Sequence, residues 1–138
     1  MLRFILLLLL VLPPAKTSYR FGTINHSCGP EDGPALDIRL TASKDTKKGA
    51  WIDLSIYRNL PQFPLSAART YELNTGNDAS ATRCRGKGHC VAADSGDLTL
   101  TRLDSTGGAG HYKFHLKDGT AEEGDFQLRW IEVKMVCD

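Results

Sequence analysis

The sequence predicts an all-β fold: an antiparallel β-sandwich of about eight short strands that ends in a long bent strand. Three observations predict it. Apolar and polar residues alternate with a period of two in several separate runs. Clusters of Gly, Asn, Asp and Ser separate those runs, and no segment repeats apolar residues at helical spacing. Run lengths vary, and Pro61 and Pro64 cannot sit inside a central strand, which favours open sheet edges and hence a sandwich. A partly open β-barrel is the alternative.

The first clear strand is residues 35–42, with Leu36, Ile38 and Leu40 inward and Asp37, Arg39 and Thr41 outward. The polar stretch 43–49 ends at Gly49 and reads as a turn. Ile52, Leu54 and Ile56 then repeat the alternation, with Asp53, Ser55 and Tyr57 opposite, so the two runs pair as a hairpin. Between them and the next strand, Phe63 is expected to plug an edge or an end of the core. Short strands follow at 70–73, 79–84 and 89–93, with a turn at 74–78. Leu98 and Leu100 mark another strand, and Gly107, Gly108 and Gly110 the turn after it. Tyr112, Phe114 and Leu116 face inward next, and a loop runs from Lys117 to Gly124. The last strand shows Phe126, Leu128 and Trp130 on one face. At Ile131 the apolar phase slips by one and continues through Val133 and Met135, which predicts a bulge or a crossing between layers.

Residues 1–18 read as a secretory signal. Arg3 precedes an apolar run at residues 4–12, which is too short to cross a bilayer, where roughly 20 residues are needed. Pro13 and Pro14 end it, and Ala15 and Ser18 are both candidate cleavage positions. The remainder, 19–138, is long enough for one disulfide-stapled domain. The expected location is therefore secreted or periplasmic, with no stable membrane insertion after cleavage. Asn25 opens an Asn-His-Ser triplet that a eukaryotic secretory pathway would be able to glycosylate.

All four cysteines lie past the signal, and an even count in an exported chain argues for two disulfides. Of three possible pairings, Cys84–Cys90 with Cys28–Cys137 is favoured. Gly86 and Gly88 let the short segment turn back on itself. Closing that loop restricts the unfolded chain by about 2.4 kcal/mol, and closing the long one by about 5 kcal/mol. A zinc site using His26, His89 and the cysteines is disfavoured, since no Cys-x-x-Cys pair occurs.

Composition and motifs narrow the function classes. Lys and Arg number 17 against 16 Asp and Glu, a formal charge of +1, so no nucleic-acid partner is expected. No Gly-x-Ser-x-Gly elbow or phosphate loop is present. His111 and His115 share one strand face but stand about 13 Å apart, too far for one zinc ion. The bland reading is solvated positions, with one histidine meeting another strand as the lesser alternative. Acidic turns around Asp94, Asp97 and Asp104, and around Asp118, Glu122, Glu123 and Asp125, lack calcium-loop spacing. No metal and no cofactor is assigned.

The remaining candidate is a binding surface. Arg83, Arg85, Lys87 and His89 gather several donors on one stapled loop, and Tyr57 is a further contact residue. The favoured reading is a non-enzymatic binding or structural domain with an extracytoplasmic protein or glycan as partner. An inhibitor of an extracytoplasmic enzyme is one alternative. A small carbohydrate hydrolase is the other; its facing carboxylates would combine Asp53 with Glu72 or Glu132.

Overall fold

A computed structural model describes residues 18–45, 49–73, 78–133 and 136–137. Residues 1–17 of the expected signal, residues 74–77 of the expected turn, and Met135 of the expected terminal strand lie outside them. The strands are β1 (Phe21–Cys28), β2 (Pro34–Thr41), β3 (Trp51–Ile56), β4 (Arg69–Glu72), β5 (Ala79–Cys84), β6 (Cys90–Asp104), β7 (Gly107–Leu116) and β8 (Ala121–Trp130).

The fold is all-β, but it is a closed barrel and not the expected sandwich. Seven strands form the ring in the order β6-β5-β3-β2-β1-β8-β7, and β7 returns to β6. The eighth strand, β4, pairs with β6 from outside the ring. An odd ring cannot alternate strand direction all the way round. One adjacent pair must run the same way, and that pair is β1 with β8, parallel from Phe21↔Gln127 to Ile24↔Trp130. β1 carries no strand signal in the sequence, because Ile24 is its one large aliphatic residue and it shows no apolar alternation. Gly22 gives the close approach this seam needs. A Cβ there would lie 2.6 Å from Leu128 Cδ2 and 2.7 Å from Leu40 Cδ2.

The prolines do not mark sheet edges. Pro61 and Pro64 sit in the crossing from β3 to β4, outside every ladder. Phe63 beside them is 58% exposed and does not plug the core; its ring meets the Trp130 ring edge-on. The two runs read around residues 89–93 and 98–101 are parts of one strand, β6. Its start pairs with β5, its second half with β4, and most of its length with β7. Register shifts at Ala93/Ser95 and Leu100/Arg102 let it bend round the ring.

The terminal strand also begins and ends earlier than expected. β8 begins at Ala121, inside the expected loop, and ends at Trp130. Beyond it Val133 and Val136 are exposed, so the phase slip does not mark a second buried face. The Ile131 N–H still donates to the Ile24 carbonyl (3.0 Å), and the segment ends at Cys137, bonded to Cys28. Ile131 and Cys137 are thus tied to β1 instead of crossing a sandwich.

Inward residues fill the barrel. Ile38, Leu54 and Ala81 face one another across β2, β3 and β5, and Leu98, Tyr112, Phe114 and Phe126 complete the core. The Tyr112 hydroxyl is pushed up to about 12 by burial. The two barrel ends differ. At one, Trp130 stacks on His26 and donates from Nε1 to the Asp104 carbonyl (2.7 Å). At the other lies a buried arginine.

Candidate functional site

Arg83 is that arginine. On β5 it shares strand parity with Ala79 and Ala81, so it points into the barrel and is only 3% exposed. Glu122 shares parity with Phe126 and Leu128 on β8 and points inward as well. Arg83 Nη1 meets Glu122 Oε1 at 3.2 Å and Thr120 Oγ1 at 2.9 Å, and Nη2 meets Asp118 Oδ2 at 3.0 Å. Arg83 therefore ties the β7–β8 loop to β5 and stands apart from the other cations of the stapled loop. The pattern of inward parity on β5 and β8 was the available sequence signal.

Of the acidic turns' carboxyl groups, Asp118 and Asp104 serve their own turns. The Thr120 hydroxyl, then the Thr120 N–H, hold Asp118 below the ordinary aspartate range, with Arg83 assisting. In the same way Thr106 and Arg102 bring Asp104 from 3.8 to about 2. Both groups are charged more readily folded than unfolded. Their contribution is complete above the unfolded value and is lost as pH falls from 3.8 through their folded values. Urea midpoints measured from pH 5 downward should therefore fall most steeply below about pH 4, and Asp104→Asn should flatten part of that slope. Among the described residues, no group of three or more His, Cys, Asp or Glu is placed to hold a metal ion.

The exposed part of the basic loop is Arg85, Lys87 and His89. Cys84 and Cys90 are joined, with their Cα atoms 4.1 Å apart. Inside that bridge the Arg85 N–H donates to the His89 carbonyl (3.0 Å) and the His89 N–H to the Gly86 carbonyl (3.1 Å). None of these three side chains has an ion-pair partner among the described residues. Tyr57 is not near them in the fold. It follows β3, half-buried, lining a small hollow with Gly29, Pro30 and Arg58.

His111 and His115 both face outward on β7. His111 meets Asp125 (2.8 Å) and Glu123 (3.6 Å) of β8, which is the cross-strand contact the sequence left open.

The structure also assembles a surface that sequence reasoning did not single out. On the outer face of β8, β1, β2, β3 and β5, register aligns polar residues in two cross-strand rows. One runs Arg129, Thr23, Arg39, Asp53, Thr82. The other runs Asn25, Asp37, Ser55, Ser80. Together they line an open trough of about 590 Å³. Arg39 grips Asp53 with two bonds, at 2.7 and 3.0 Å, and Trp51 Nε1 donates to the same carboxylate at 3.0 Å. Asp53 faces Arg39 and Thr82 across its neighbouring strands, while Glu72 lies on β4 opposite Asp97. Asp37, Arg39, Asp53 and Ser55 were visible as the polar halves of alternating runs, whereas Thr23 and Asn25 of β1 carried no such signal. Their alignment depends on strand order, which alternation does not encode.

Comparison with known proteins finds no matching family model, no similar curated protein and no similar solved structure. What the chain shows is a disulfide-containing all-β barrel domain. Among the described residues, no helix is long and apolar enough to cross a membrane.

Proposed function

We propose that the chain is an exported, non-catalytic binding domain whose contact element is the loop closed by Cys84–Cys90. The observation that carries this reading is the pairing of a closed backbone with three exposed basic side chains, Arg85, Lys87 and His89, that have no ion-pair partner among the described residues. A loop ordered before contact loses less entropy on binding. Its charge suits an acidic surface on an extracytoplasmic protein. Insertion into the acidic cleft of an exported enzyme, as an inhibitor, is the most specific form of this function. The filled interior supports the same reading, since it leaves the ligand to be met on the outside.

The test is capture from the native extracytoplasmic fraction on the immobilised full chain, repeated with Arg85→Ala/Lys87→Ala. Losing two steering charges should weaken the captured partner by about tenfold, mostly through slower association that added salt mimics. The thermal transition should stay where it is, because neither side chain is buried. Unchanged affinity for every captured protein would remove the loop from the binding account.

A further inference from the structure

We infer that the trough on the outer face of β8-β1-β2-β3-β5 binds a neutral oligosaccharide. This site is separate from the stapled loop and does not depend on the function proposed for it.

The first argument is charge. Asp37 and Asp53 are matched within the trough by Arg39 and Arg129, so the lining is neutral as a whole. An anionic ligand would meet two carboxylates, and a cation would meet two guanidinium groups. An uncharged ligand meets neither penalty.

The second is hydrogen-bonding capacity. Asp37 Oδ1 accepts from Ser55 Oγ at 2.8 Å, which leaves Oδ2 without a side-chain partner among the described residues. The Ser80 and Thr82 hydroxyls and the Arg129 guanidinium make no side-chain hydrogen bond to other described residues. Unengaged acceptors and donors therefore alternate over a small area. A row of sugar hydroxyls, each both donor and acceptor, matches that mixture, whereas an apolar small molecule would leave it unsatisfied.

The third is shape and stiffness. Asn25, Asp37, Ser55, Ser80 and Thr82 are short and half-buried, and form a floor; Arg39 and Arg129 are exposed and stand above it. Strands spaced about 4.8 Å apart make a five-strand crossing about 19 Å wide, enough for several sugar rings. Short side chains on paired strands lose little freedom when a ligand settles on them.

The test is a titration of the isotope-labelled full-length secreted protein, followed by backbone amide shifts, with cellotetraose, mannotetraose, chitotetraose and maltotetraose. Trigalacturonate serves as the anionic comparison. Protein made without N-glycosylation keeps Asn25 bare. At least one neutral sugar should shift the amides of Asn25, Asp37, Ser55 and Ser80 together, leaving Arg85–His89 in place. Asp37→Ala and, separately, Arg129→Ala should each weaken that sugar by about tenfold. Both residues lie on the outer face, so their variants should keep the thermal transition. If one variant fails to fold, the other still decides. Three results would overturn the inference: no trough shifts with any neutral sugar, shifts confined to other surfaces, or binding of trigalacturonate alone.

Discussion

Arg83→Met should destabilise the domain by about 3–5 kcal/mol, read from urea unfolding near neutral pH. The reason is the charge left behind. Glu122 has a side chain only 10% exposed, and Arg83 is its ion-pair partner inside the barrel. Removing the guanidinium strands a carboxylate where water cannot solvate it. Arg83→Met/Glu122→Leu should be far more stable than the single variant. Arg83 Nε is itself buried without a hydrogen-bond partner among the described residues, so the native pair is not fully satisfied, and an apolar pair of similar volume sheds that cost. A single variant within about 1 kcal/mol of the parent would show that Glu122 does not rely on Arg83. It would also show that the β7–β8 loop is held by other contacts.

Gly96→Ala should cost on the order of 3 kcal/mol, while Gly119→Ala should cost about 1 kcal/mol. Both glycines have positive φ, at +137° and +87°. They differ in what a side chain would meet. A Cβ at Gly96 would lie 2.3 Å from the Lys113 carbonyl oxygen and 2.4 Å from Phe114 Cα, both backbone atoms of β7. A Cβ at Gly119 would meet nothing within 4 Å. Gly96 also lies between the part of β6 that serves β5 and the part that serves β4, and its carbonyl accepts from the Leu73 N–H at 2.8 Å. Amide exchange in the alanine variant should accelerate along β4, β6 and β7 before it does so in β2 and β3. Equal costs at the two positions would mean that backbone conformation, and not crowding against β7, sets the penalty.

What the sequence determined by itself was local. A period of two in Leu36, Ile38 and Leu40, and again in Tyr112, Phe114 and Leu116, identifies the strands and their buried faces, because side chains must alternate across a pleat. Cys84 and Cys90, spaced by two glycines, mark a closed turn for equally local reasons. The tertiary structure decided whether those strands formed two open layers or a ring. That depended on β1, which has little apolar signal, meeting β8 from the far end of the chain in a parallel pair. Closure then decided the fate of individual side chains. It buried Arg83 against Glu122, though residue type suggested an exposed cation, and it stopped the last strand at Trp130. It also brought Asp37, Arg39, Asp53 and Arg129 into one trough, with Thr23 of β1 between Arg129 and Arg39. Alternation fixes which way a side chain faces. Which side chains become neighbours depends on strand order and register, and those are set by the packing of the whole barrel.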